Sequence, residues 1–210
     1  MTINEWLRDA TNELADAMLP SPRLDAEIIL AHTIKHPRTY LHAHGDEEIS
    51  PRTEDIANAR IDLRTDRVPV AYIIGHKEFY GRRFQVNPTV LIPRPESEQL
   101  ITMLKQLIPS TAALPGVAAK RLVDVGTGSG CLGITAKLEF PELSVALTDN
   151  SRHVLSVATK NASLLGAEVE TFESDLLADY PYSPDIVLAN LPYVDKTWDF
   201  LSPELANEPD

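Results

Sequence analysis

From residue 120 onward the chain alternates short apolar runs with helical stretches, and this alternation restricts the fold more than any other feature. Runs at 121–125, 143–148, 169–173 and 185–190 read as strands. Helical stretches follow the first, to about residue 139, and the second, over 151–165. Parallel strands joined through helices use right-handed crossovers, so the pitch predicts a doubly wound parallel sheet. Such sheets bind ligands beyond the carboxyl ends of their strands. The residues that end each run are therefore the candidates for chemistry.

The first run ends in Asp124-Val125-Gly126-Thr127-Gly128-Ser129-Gly130. Glycines there let the backbone turn tightly and approach a cofactor at a helix N-terminus. Residues 128–133 also satisfy the pattern GxGxxG, which keeps a nicotinamide enzyme open. The second run ends at Asp149, whose two oxygens suit both hydroxyls of a ribose; the plainer reading is a helix N-cap. After the third run, Asp175 can accept from an adenine amino group while Leu176 packs on the ring; the plainer reading is a solvated carboxylate. The fourth run delivers Asn190-Leu191-Pro192-Tyr193 to the same edge. An amide or exocyclic amino nitrogen is a poor nucleophile because its lone pair is delocalised. Donation of its two N–H groups to the Asn190 side-chain oxygen and the Leu191 carbonyl would favour localising that pair and aim it at an electrophilic methyl. Tyr193 offers a face for a flat amide or base, and Pro192 biases Leu191 toward an extended backbone.

Residues 1–68 read as a helical domain. Ile3, Leu7, Ala10, Leu14 and Ala17 form one apolar stripe, and Leu24, Ile28, Leu30, Ala31 and Ile34 suggest a second helix that Pro37 ends. Ser50 before Pro51 marks another start, with Ile56, Ala57, Ile61 and Leu63 as its expected apolar face. Residues 69–95 read as a linker, with a hairpin over 77–86 around Gly81 and Ile92-Pro93-Arg94-Pro95 as a stiff connector. The remainder, 96–210, opens with a helix carrying Leu100, Ile101, Leu104, Leu107 and Ile108 on one face.

A net charge of −12 repels phosphate backbones, so direct nucleic-acid binding is not expected without a local basic patch. Lys77, Arg82, Arg83 and Arg94, set against Glu78 alone, make residues 76–95 such a segment. One cysteine, Cys131, excludes an internal disulfide and a cysteine zinc site, and is expected as a small packed residue beside the glycine loop. His32, His36, His42, His44, His76 and His153 are scattered, with surface positions expected and no metal site among them. No apolar run reaches the length of a membrane span, and a reducing cytoplasm is the expected compartment.

Together with the glycine loop and Asp149, Asn190-Leu191-Pro192-Tyr193 resembles the signature of class I amino-methyltransferases. DNA adenine, rRNA adenine and protein glutamine methyltransferases share it. Leu191 stands where the glutamine enzymes more often carry proline, a leaning toward the RNA branch. The upstream segment separates the branches. Pro69-Val70-Ala71-Tyr72-Ile73-Ile74-Gly75, Glu78-Phe79-Tyr80-Gly81, Phe84-Gln85-Val86 and Val90-Leu91-Ile92-Pro93-Arg94-Pro95-Glu96 are similar to the HemK/PrmC family. These are release factor glutamine methyltransferases, and the similarity runs from the first helix to the last residue. Arg94-Pro95-Glu96 resembles the release-factor enzymes rather than the related ribosomal-protein enzymes.

That resemblance implies an α/β class I S-adenosylmethionine-dependent fold, a Rossmann-like parallel sheet preceded by a small all-α domain and a β-hairpin linker. It implies cofactor contacts from Gly126, Thr127, Gly128, Ser129, Gly130, Asp149, Asp175, Leu176 and Asn190. It also implies methyl transfer to the side-chain nitrogen of the glutamine in the Gly-Gly-Gln motif of class 1 peptide chain release factors, a step in translation termination. The substrate glutamine would sit against Asn190, Leu191, Pro192 and Tyr193, with the helical domain and basic hairpin docking the protein. Leu176 stands where some relatives carry a larger aromatic residue. The sheet of this class continues for about three more strands, so the chain is expected to be truncated after its fourth strand. An adenine-N6 methyltransferase acting on rRNA or DNA, a nicotinamide oxidoreductase and an inactive truncated binding module remain as alternatives.

Overall fold

In the computed structural model, which describes residues 1–108, 120–191 and 207–209, the chain divides at Gly75 into a helical unit and a sheet unit. The helical unit begins at Thr2, whose hydroxyl accepts from the Glu5 N–H at 3.2 Å while the Glu5 carboxylate accepts from the Thr2 N–H at 2.8 Å. This reciprocal box satisfies two end donors and starts α1 (Ile3–Asp16). Its buried face holds Ile3, Leu7, Ala10 and Leu14 of the predicted stripe together with Trp6, while Ala17, expected on that stripe, is the half-buried cap residue beyond the helix.

The next helix, α2 (Pro22–Ile34), departs from its predicted stripe. It lies against α1, α3 (Arg38–Ala43), α4 (Pro51–Thr65) and α5 (Val70–Ile74), so neighbours on several sides erase a single apolar face. Ala26, Ile29, Leu30 and Ala31 are buried together with Asp25 and Glu27, and Leu24 is exposed. Helix α4 starts as expected, with the Ser50 hydroxyl accepting from the Thr53 N–H at 3.2 Å. Its buried residues are Ala57, Ile61 and Arg64, while Ile56 and Leu63 are exposed. Arg64 occupies the inner face because its Nε donates to the Asp25 carboxylate at 2.7 Å across the α2–α4 contact. Glu27 accepts from Arg23 at 2.7 Å and Arg38 at 2.8 Å. Burial pushes its carboxyl upward, but the two arginine bonds outweigh burial and hold it below the ordinary range.

The sheet unit opens with the predicted hairpin, β1 (His76–Phe79) and β2 (Arg82–Gln85), joined by Tyr80 and Gly81 at φ 51° and 69°. Two consecutive left-handed residues give the turn that matches strand twist. Phe79 and Phe84 are buried edge to face, with centroids 6.1 Å apart. After a 3-10 turn at Pro95–Ser97, α6 (Glu98–Leu107) buries Ile101 and Leu104, while Leu107, expected on the same face, is exposed.

The alternating segment forms β3 (Arg121–Val125), α7 (Cys131–Glu139), β4 (Ser144–Asp149), α8 (Arg152–Leu165), β5 (Glu170–Glu173) and β6 (Ile186–Ala189). All four strands are parallel, in the order β5-β4-β3-β6. The chain steps from β3 to β4 on one side, and β6 returns to the other side of β3. The carboxyl ends of β3 and β6 thus flank the switch point, the crevice where doubly wound sheets take ligands.

Candidate active site

Register sets the site. Val125 pairs with Thr148 on one side and Ala189 on the other, so the residues that follow, Gly126, Asp149 and Asn190, leave the sheet in one row. Asp149 is itself paired with Glu173, which brings Ser174, Asp175 and Leu176 to the same edge. Four separate sequence segments therefore converge for a single reason, the alignment of their strands.

The glycine loop is shaped from beneath by Asp124. This carboxylate is 1 % exposed; it accepts from the Thr127 hydroxyl at 2.6 Å and the Gly133 N–H at 2.9 Å, tying both ends of the loop to β3. Burial pushes its carboxyl up to about 7, against the pull of those two bonds. The Asp149 charge adds to the rise. The sequence assigns Asp124 no role; its signal is a lone acidic residue within the buried, otherwise apolar part of β3. Gly126, Gly128 and Gly130 have φ of 63°, 56° and 81°. A β-carbon on Gly126 would also lie 2.7 Å from Leu191 Cδ2, so the loop and the fourth strand end approach as closely as glycine permits. One on Gly128 would meet nothing within 4 Å, which leaves that backbone open to a ligand. The Thr127 N–H is held by the Thr148 carbonyl at 3.0 Å.

Asp149 combines the two readings made of it. Its Oδ1 accepts from the Ser151 N–H at 3.1 Å at the start of α8, and its Oδ2 from the Gly128 N–H at 3.3 Å. Each carboxylate oxygen retains further acceptor capacity for ribose hydroxyls. Leu176 is exposed at φ 53°, with its carbonyl fixed by the Thr148 hydroxyl at 3.2 Å, so an apolar side chain stands at the edge where a flat ring could rest. Asp175 is exposed beside it. This row fits a nucleoside cofactor: a glycine backbone open to close approach at a helix start, a carboxylate one strand away and an apolar shelf beyond.

Asn190 is half-buried, and its Nδ2 donates to the Ser97 hydroxyl at 3.4 Å. Ser97 ends the turn Pro95–Ser97 at the close of the Ile92-Pro93-Arg94-Pro95-Glu96 connector, so the connector reaches the site directly, a role the sequence did not assign. With Nδ2 engaged there, Oδ1 is left as an acceptor. Leu191 is 38 % exposed, and Pro192 and Tyr193 lie outside the described residues.

The expected basic patch is partly neutralised. Arg82 pairs with Glu139 at 2.5 Å and Arg94 with Glu208 at 2.6 Å, while Arg83 bonds the His76 ring at 2.9 Å. None of the six histidines is buried. Cys131 packs partly buried against the core beside the loop; burial first and the Asp124 charge second push its thiol up to about 12. Among the described residues no group of three or more His, Cys, Asp or Glu side chains could hold a metal ion, and no helix is long and apolar enough to cross a membrane.

Residues 5–75 match the family model described as the PrmC N-terminal domain, and residues 100–202 match the methyltransferase small domain. A release factor glutamine methyltransferase from Koribacter versatilis (strain Ellin345) is 39% identical over 196 residues, which cover 92% of this chain and 68% of the relative. A protein of the same name from Deinococcus radiodurans is 35% identical over 212 residues, covering 100% of this chain and 74% of the relative. This chain thus spans about two thirds to three quarters of the length of these curated relatives. A solved structure, the ribosomal protein L11 methylase from Lactobacillus delbrueckii subsp. bulgaricus, is similar over 55% of this chain and 57% of its own. Its TM-score is 0.39 and its sequence identity 26%.

Proposed function

The chain belongs to the family of release factor glutamine methyltransferases, and we propose that it methylates the side-chain nitrogen of the Gly-Gly-Gln glutamine in class 1 peptide chain release factors. Its fold is that of the class I S-adenosylmethionine-dependent methyltransferases, and S-adenosylmethionine is the methyl donor. In this reading Gly126, Thr127, Gly128, Ser129 and Gly130 approach the cofactor with backbone, Asp149 takes the ribose hydroxyls, and Asp175 and Leu176 receive the adenine. When bound, the cofactor supplies an electrophilic methyl on sulfur.

The chain's own residues position the acceptor. The observation that carries the proposal is the meeting of Asn190 and Leu191 with the glycine loop, where Leu191 Cδ2 lies 2.7 Å from the place a Gly126 β-carbon would occupy. Asn190 Oδ1, freed by the Nδ2 bond to Ser97, and the Leu191 carbonyl accept the two N–H groups of the substrate amide. That pair draws the nitrogen lone pair out of conjugation and fixes its direction, so orientation and electrostatics both lower the barrier. Pro192 and Tyr193 complete the substrate side, with Tyr193 stacking on the amide. The helical domain and two cations of the hairpin, the partly buried Lys77 and the exposed Arg83, dock the release factor.

Mass spectrometry of a release factor incubated with the chain and labelled S-adenosylmethionine tests this. The expected result is one labelled methyl on the Gly-Gly-Gln glutamine. Label in rRNA or DNA instead would establish the adenine reading, and binding of the factor without label would establish a docking module.

A further inference from the structure

Asn161 has no part in the site just described, yet its side chain bonds both the glycine loop of that site and the hairpin. It lies on α8 and is fully buried. Its Oδ1 accepts from the Gln85 N–H at 2.7 Å, and its Nδ2 donates to the Gln85 carbonyl at 3.0 Å and the Ser129 carbonyl at 2.8 Å. Gln85 ends the second strand of the hairpin, paired with His76. Ser129 stands between Gly128 and Gly130 in the glycine loop, and its own hydroxyl is buried without a hydrogen-bond partner. The loop is thus fastened at Ser129 through its carbonyl, by the same amide that completes the hairpin's backbone bonding.

We propose that Asn161 is a positioning residue that couples the hairpin to the S-adenosylmethionine loop, so that ordering either segment orders the other. The inference rests on the reading of residues 126–130 as the cofactor loop. Both donors and the acceptor of this amide are engaged with backbone, in a site that water does not reach. Displacement of the Ser129 carbonyl therefore strains the bonds to Gln85, and displacement of Gln85 strains the bond to Ser129. Such coupling is reciprocal: a ligand that fixes the loop steadies the hairpin, and a partner that grips the hairpin tightens the loop on its cofactor. Lys77 and Arg83 are on this hairpin, so cofactor occupancy reaches a surface that a protein substrate can sense.

The test measures S-adenosylhomocysteine binding by calorimetry and amide hydrogen exchange over residues 76–86 and 126–133, with and without that ligand. Wild type, Asn161→Ala and Asn161→Asp are compared. In wild type the ligand slows exchange in both segments. In both variants it binds about tenfold more weakly and slows exchange in the loop alone. Asn161→Asp keeps the acceptor for Gln85 and loses both donors at nearly constant volume, so it carries the comparison should the alanine variant not fold. The wild-type arm needs no variant at all. Ligand binding by wild type without slower exchange in the hairpin overturns the coupling and leaves the cofactor reading standing; so do variants that retain hairpin protection. Absence of any binding by wild type overturns the cofactor reading and the coupling with it.

Discussion

The helical unit and the sheet unit place their interior polar groups in different service. In the helical unit side chains bond side chains: Arg64 to Asp25 at 2.7 Å, Arg23 and Arg38 to Glu27, and Trp6 Nε1 to Asn58 at 2.7 Å. In the sheet unit, apart from the Thr127 hydroxyl on Asp124, the buried polar side chains that support the site reach backbone. Asp124 holds the Gly133 N–H, Asn161 holds Gln85 and Ser129, and the Thr148 hydroxyl holds the Leu176 carbonyl. Side-chain pairs lock helices whose backbones are already satisfied. Bonds to backbone instead fix the course of loops that have no regular ladder of their own and that a ligand must meet in one shape. The contrast predicts that mutations in the first unit are read as stability and those in the second as chemistry.

The largest expected effect is on the stability side. Leu7 is fully buried in α1, and Leu7→Ala should cost about 2–5 kcal/mol of unfolding free energy by urea titration. A loss under about 1 kcal/mol would mean that the helical unit is not held by its apolar stripe, and the contrast would fail at its first term. Asn190→Ala should behave in the opposite way. Its half-buried side chain adds little to folding, so stability should stay within about 0.5 kcal/mol, while kcat for methyl transfer falls about 10²–10³-fold. A variant that unfolds without slowing the surviving enzyme would put Asn190 among the structural residues.

The two units also differ in how much of them could be read from sequence. The α1 stripe, the hairpin around Gly81 and the alternating strands were legible, because periods of 3.6 and 2 and a left-handed turn leave regular marks. The α2 face and the exposure of Ile56 and Leu63 were not, because a helix enclosed by several neighbours is positioned by all of them together. In the site, Gly126, Asp149 and Asn190 were legible as strand ends, since the register of a parallel sheet brings successive ends into one row. The supporting Asp124 and Asn161 were not. Asp124 is flanked by valines and Asn161 stands among the polar residues Thr159, Lys160 and Ser163, so neither position marks itself as a support, and most of their partners are backbone groups that every residue type carries. For Asn161 one such group is 76 residues away in sequence.

Asp124 marks where the contrast breaks, because this support of the site is read through stability and its dependence on pH. Its carboxyl rises from 3.8 to about 7 on burial, so the folded state binds this proton more tightly than the unfolded chain. The associated stability is full below about pH 4 and is lost as pH rises through about 7. Asp124→Asn does not titrate. Groups common to both proteins cancel, so the stability of wild type relative to the variant should fall by about 1–3 kcal/mol between pH 4 and pH 7. Paired urea titrations at the two values measure this. A constant difference would show Asp124 charged throughout, and the loop would then rest on a carboxylate rather than on a neutral acid.

Ser97 should give the smallest effect, because its hydroxyl meets Asn190 Nδ2 at 3.4 Å, a long bond at a half-buried position. Its work is to hold the Asn190 amide with Oδ1 toward the acceptor, not to touch the substrate. Ser97→Ala should therefore lower kcat about three- to tenfold, the worth of one modest hydrogen bond, with KM for the release factor and affinity for S-adenosylhomocysteine unchanged. Ser97→Thr, which keeps the hydroxyl, should restore the rate. Packing alone would predict the reverse pattern, since threonine adds a methyl group that alanine does not. If alanine proves harmless and threonine harmful, the connector supports the site by shape.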